Sequence, residues 1–309
     1  MRAFRTFWRT NWILLAIGLG LSLVIVALTS LTRLITNRVN LFEGMIAYAA
    51  NAEGGYYNLY TFDLTTQQPT RLTQSVANDT HPSWLPNEFI IALQTDRSQQ
   101  TQDVYIVSSN GNTAPLINLE AFNESDPHFA SDGVQVTYVG DERGQADIFS
   151  MNRDMTALRM VADSGGQDAD PSWSPDRQQI AFTGTSNGIT RLYAVTLATG
   201  EVRALTDGNA IDQQPTWSPN GQQIAFSSNR TPDGRFAIHI LTLNNGQIRP
   251  LLSEGVGNEY EPSWSAEGRR IVFSSDRTGN RDLFMVDVRR RQLYQLTATP
   301  FEEIQPAWR

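Results

Sequence analysis

Six prolines recur at nearly even intervals, and no other feature restricts the fold of this 309-residue chain as sharply. They stand at 82, 127, 171, 215, 262 and 306, in steps of 45, 44, 44, 47 and 44. Each is followed two residues later by an aromatic: Trp84, Phe129, Trp173, Trp217, Trp264 and Trp308. Self-similarity at such a period marks a repeat architecture, in which each unit buries its apolar face against the next copy of itself.

The grammar inside the unit repeats as well. After the proline and aromatic comes a short apolar run, IAFTG at 180–184, IAFSS at 224–228 and IVFSS at 271–275. Equivalent runs stand at 91–93 and 136–138. A third run follows at 104–107, 192–195 and 283–286, and a fourth ends in Leu-Thr, as at Leu205-Thr206 and Leu296-Thr297. Four β-branched or aromatic runs per unit, parted by Gly, Asn, Asp and Pro turns, predict a four-stranded antiparallel sheet. The first unit, 44–75, lacks the Pro-x-Trp strand, and residues 305–309 supply it at the other end of the chain. The expectation is therefore an all-β, six-bladed β-propeller over 44–309, with one blade shared by both termini so that the ring closes without an open sheet edge.

Residues 12–31 read WILLAIGLGLSLVIVALTSL, an uncharged run that at ~1.5 Å per residue spans a bilayer core of roughly 30 Å. It is longer than the apolar region of a cleaved signal peptide and lacks a small-x-small cleavage site. A transmembrane helix is expected over 12–32, between a cytoplasmic tail (1–11) and a linker (33–43). Arg2, Arg5 and Arg9 precede it against Arg33 and Arg38 after it, which orients the propeller outside the cytoplasm, in the periplasm or beyond the cell.

Charge and composition exclude several functions. The chain has no Cys, hence no disulfide framework, thiolate metal site or cysteine nucleophile. All basic residues are Arg; beyond residue 40, 19 of them face 32 acidic side chains, a formal net charge of −13. Such a domain repels phosphate backbones, so nucleic acid is not expected as a partner. No G-x-S-x-G elbow or phosphate-cradling glycine loop occurs, and no catalytic residue, cofactor or metal is assigned.

The unit P-x-W-S-P-[DN]-G-x-x-I-A-F-x-S-x-R resembles the repeat of TolB-type β-propellers, shared with the propeller domains of prolyl-oligopeptidase-family peptidases. The resemblance spans 44–309, is strongest over 168–297, and is weaker where Phe129 and Ala130-Ser131-Asp132-Gly133 depart from it. The residues contain neither an N-terminal α/β domain of the TolB kind nor a hydrolase domain, so a peptidase is not expected. The resemblance implies that the Pro-x-Trp strand is the innermost of each blade, and that the propeller binds partner proteins.

Two sets of residues follow from aligning the repeats. An acidic residue stands three before every proline: Asp79, Glu124, Asp168, Asp212, Glu259 and Glu303. These are expected in the loop entering the inner strand, as a structural ring that accepts backbone N–H groups or pairs with Arg97, Arg143, Arg230 and Arg277. Immediately before each proline stand His81, Asp126, Asp170, Gln214, Glu261 and Gln305. This position varies from blade to blade within a fixed frame, as a binding mouth requires, and these residues are the candidate binding set near an anionic channel entrance. The expected function is non-catalytic recognition of a protein or peptide, or scaffolding, as a subunit of an envelope or membrane complex. The alternative is a metal-assisted carbohydrate-active lyase or hydrolase, for which His81, His128 and Asp126 offer ligands of the right type and His239 reads as a packing residue.

Overall fold

The strands written into the repeat are all present in the computed structural model, which describes residues 43–98, 100–119, 122–252 and 255–309. The anchor expected at 12–32 and the tail before it lie outside the described residues. Among those described, no helix is long and apolar enough to cross a membrane.

The described residues form six four-stranded antiparallel sheets; five are ordered from inner to outer strand as the chain runs, and in the sixth the last strand of the chain is innermost. Blade 2 comprises Asp79–Trp84, Ile90–Thr95, Asp103–Ser108 and Thr113–Ile117; blade 3 comprises Glu124–Phe129, Gln135–Gly140, Asp147–Asn152 and Arg159–Ala162. Blades 4, 5 and 6 begin with Gln167–Trp173, Asp212–Trp217 and Glu259–Trp264. Blade 1 joins both ends of the chain: Glu303–Trp308 pairs antiparallel with Met45–Glu53, bringing Trp308 opposite Ile46. The shared blade predicted from the sequence is thus the observed closure.

Second strands carry unbroken apolar runs because both faces of each blade are covered by neighbours. In Gln223–Ser228, every residue after Gln223 is buried. The inner-strand aromatic fills the seam to the preceding blade. Trp84 packs among Ala47, Ala49 and Leu59 of blade 1, and Trp217 among Ala181 and Leu192 of blade 4. Burying a side chain of this size contributes at least ~1.5–3 kcal/mol, so the six seams supply much of the driving force for ring assembly. The Leu-Thr ending of the fourth run also has a mechanical role. Thr73, Thr206 and Thr297 accept the backbone N–H of Leu59, Leu192 and Leu283 through their hydroxyls at 2.9, 3.1 and 2.9 Å, tying the outermost segment to the third strand.

Candidate binding site in the central channel

The residue before each repeat proline sits in the left-handed region: His81, Asp126, Asp170, Gln214, Glu261 and Gln305 have φ of 50, 48, 53, 58, 57 and 54°. A residue before proline ordinarily stays extended, and non-glycine residues at positive φ cost of order 1–3 kcal/mol each. The ladder explains why they persist. Pairing between the first two strands skips this residue and its proline in every blade, as between Thr80 and Ser83 in blade 2 and between Gln213 and Thr216 in blade 5. Proline brings no N–H to the bulge, and at five of the six positions the N–H of the residue before it turns to the neighbouring blade.

Those freed N–H groups build a girdle from blade to blade. The backbone N–H of Asp170 donates to Asp126 Oδ2 (3.3 Å), that of Gln214 to Asp170 Oδ2 (3.2 Å), and that of Glu261 to Gln214 Oε1 (3.0 Å). Gln305 N–H then donates to Glu261 Oε2 (2.7 Å), and His81 N–H to Gln305 Oε1 (3.0 Å). Hydroxyls of Thr183, Ser227 and Ser274 pin the side chains of Asp170, Gln214 and Glu261 at 2.9, 2.9 and 2.6 Å. The sixth link runs between side chains, with His81 Nε2 at 3.1 Å from Asp126 Oδ1. The structure thus brings all six candidate residues together, lining a channel of about 150 Å³ with their prolines. All but His81 also accept the N–H of the strained residue in the next blade, a role the sequence did not reveal.

The girdle is acidic on one side. Burial, and then the negative charge of Asp126, push the Asp170 carboxyl up to about 6. His128 also lines the channel, its ring held well below the usual imidazole range, at about 4, by burial, and its Nδ1 has no hydrogen-bond partner. His239 is buried elsewhere, against the Phe226 ring. The lining as a whole suits a cationic or N–H-donating group entering the channel.

The acidic residues three before each proline are all buried. They lie within the inner strands, as the first residue of five and the second of Gln167–Trp173, rather than in the preceding loop as expected. Three pair with arginine as foreseen: Asp79 with Arg97 (2.7 Å), Asp212 with Arg230 (2.6 Å) and Glu259 with Arg277 (2.5 Å). Arg143 does not pair with Glu124; its Nη1 meets the Met160 sulfur at 2.8 Å. The reason is register, since Glu142 occupies the place that arginine fills in the other three blades, 18 positions beyond the acidic residue. Without a cation, Glu124 accepts the Leu119 N–H (3.3 Å), and burial pushes its carboxyl up to about 8. Burial likewise raises Asp168 to about 6 and Glu303 to about 7.

A recurrent contact escaped the sequence reading. Asn78, Asn123 and Asn258 each donate through backbone and side chain to Asp96, Asp141 and Asp276 of the same blade. Their side-chain oxygens accept the N–H of Tyr57, Gln102 and Phe236 of the blade before. The signal was an Asn preceding the acidic residue with an Asp 18 positions later. A groove of about 1520 Å³ opens where two of these latches meet, across blades 1 to 3.

Chain closure, inner-strand prolines and radial four-stranded sheets define a repeat β-propeller. The TolB beta propeller domain family matches residues 44–169 and 125–303, and the chain belongs to that family. Curated proteins gave no match. Among solved structures, TolB from Acinetobacter baumannii is similar with a TM-score of 0.76 and 23% identity, over 86% of this chain and 66% of that one. The chain therefore spans just under two thirds of that protein. A candidate TolB from Agrobacterium tumefaciens gives 0.69 and 16%, over 83% and 90% of the two chains. An oligogalacturonate lyase in complex with manganese gives 0.57 and 13%, over 82% and 73%. At these identities the likeness concerns the fold.

Proposed function

We propose that this propeller is a non-catalytic recognition module, held at a membrane by residues 12–32 and presented outside the cytoplasm, which binds a protein or peptide partner within an envelope or membrane complex. The observation that carries the reading is the channel girdle: six side chains of different chemistry on one repeated backbone frame. Blade geometry needs the frame and an acceptor at each position. It does not need the sequence His, Asp, Asp, Gln, Glu, Gln. A channel of about 150 Å³ admits a few side chains rather than a folded body, so the partner enters as an extended segment or a chain end. Asp126, Asp170 and Glu261 favour a segment bearing Arg, Lys or a free amine. Family membership supports a partner-binding propeller by analogy.

Affinity purification of the full chain from membranes in mild detergent tests the reading. A stoichiometric co-purifying protein, released by added salt, is expected. A chain that purifies alone and instead cleaves an acidic oligosaccharide would establish the lyase alternative, toward which the manganese-bound lyase points through shared fold only.

A further inference from the structure

We propose that Asp147, Asp163 and Asp168 form a binding site for a hard divalent cation, calcium by donor chemistry, at the junction of blades 3 and 4. Asp147 opens the third strand of blade 3, Asp163 follows that blade's outer strand Arg159–Ala162, and Asp168 lies in the inner strand of blade 4. One carboxylate oxygen from each lies within 4.8 Å of the others. Ligands on opposite sides of one calcium ion, each at ~2.3–2.6 Å, are separated by about that distance.

The second observation is an orphaned atom. Asp147 has no exposed surface, and its Oδ2 accepts no hydrogen bond. A buried carboxylate oxygen without a partner is costly, and here it belongs to a group facing two further carboxylates. The rest of the cluster is already held in place. Gln145 Nε2 donates to Asp147 Oδ1 (3.1 Å) and Asp163 Oδ1 (3.3 Å), Gly165 N–H to Asp163 Oδ1 (2.7 Å), and Ser164 N–H to Asp168 Oδ2 (3.0 Å). Asp163 is the most solvent-accessible of the three and gives an ion its way in.

The other seams show what the site lacks. In the repeat, a residue at or near the start of each third strand, 21 positions or so before the acidic residue of the next blade, corresponds to Asp147. Where that acidic residue has its own arginine, as in Asp79–Arg97, Asp212–Arg230 and Glu259–Arg277, the corresponding position holds Asn58, Arg191 or Ala237. At the seam of blades 3 and 4 the residue is Asp147, and the arginine position is taken by Ser186. Asp103 before Glu124 and Asp282 before Glu303 repeat the two-carboxylate arrangement without arginine. Among the described residues, only the seam of blades 3 and 4 adds a third carboxylate, Asp163, close enough to share one ion. All donors are oxygen, without imidazole or thiolate, which selects calcium or a similar hard ion over zinc or copper.

Titration of the metal-stripped full chain with calcium chloride, by calorimetry and thermal melting, tests this. One ion per chain and a rise in melting temperature reversed by chelator are expected, with affinity lowered at least tenfold in Asp163→Asn and in Asp147→Asn. Asp233→Asn removes the same charge from an exposed loop and should bind as wild type does. Because Asp163 is partly exposed, its variant folds even if Asp147→Asn does not. No binding by the wild type at millimolar calcium, or undiminished binding by Asp163→Asn, would overturn the proposal.

Discussion

The backbone N–H of His81 donates to Oε1 of Gln305 at 3.0 Å, a bond between residues 224 positions apart. It ties the last strand of the chain, which closes the ring by pairing with Met45–Glu53, to blade 2, and Trp308 of that strand lies opposite Ile46 where the two ends of the chain meet. Trp308 N–H also reaches back to Ser263 Oγ of blade 6 at 3.0 Å.

Replacing Trp308 with Ala should therefore lower stability by ~3–5 kcal/mol, the usual cost of deleting a buried Trp. Deleting 305–309 should be worse, because it removes the inner strand of blade 1 and exposes Ile46, Ala47 and Ala49. Thermal melting decides; an unchanged curve for the truncated chain would show that the termini do not share a blade.

Asp212 is fully buried, accepting Ser228 Oγ at 2.5 Å and Arg230 Nη2 at 2.6 Å. Asp212→Ala leaves that guanidinium without its counter-charge and should cost about 3 kcal/mol in chemical denaturation. Asp212→Ala paired with Arg230→Met should recover part of the loss. A double variant as unstable as the sum of both singles would mean the two groups act independently.

Glu124 gives the pH dependence a definite sign. Its carboxyl moves from 4.5 to about 8 on folding, so the folded state retains a proton that the unfolded chain releases in between. The contribution is fully present below about 4.5 and is lost as the pH rises through about 8. Glu303, raised to about 7, adds in the same direction. Glu124→Gln keeps an acceptor for the Leu119 N–H without the ionisable group. At about pH 9 it should be more stable than wild type by on the order of 1–3 kcal/mol, allowing for solvent screening, and near about pH 4 the two should converge. A constant gap between the melting temperatures across this range would refute the assignment.

A topology reporter fused after Arg309 should be active only outside the cytoplasm, and the purified chain should retain residues 12–32. Activity of a cytoplasmic reporter, or a chain beginning near residue 32, would contradict the orientation or the anchor, respectively.

The blades were legible because their determinant is local and repeated: a proline, an aromatic two positions on, and apolar runs between turns. The acidic ring was legible as a position, and so were its partners Arg97, Arg230 and Arg277, but Arg143 was not a partner. Arg143 stands one residue past the place that Arg97, Arg230 and Arg277 hold, and a strand slip of one residue turns a side chain to the other face. The girdle was seen as a set of variable residues but not as a strained one, since a residue before proline is ordinarily extended. Nothing in the repeat marks Asp163, which meets Asp147 and Asp168 only through folding of the connection between blades 3 and 4.

Partner capture by a girdle variant tests the account most directly. Asp126→Asn, Asp170→Asn and Glu261→Gln together remove the negative charge while leaving an acceptor oxygen for each neighbouring N–H, so melting should stay within about 1 kcal/mol of wild type. Wild-type capture should weaken steeply with added salt, and the triple variant should capture no partner at any salt concentration. A triple variant that folds and retains full capture would contradict recognition through the channel.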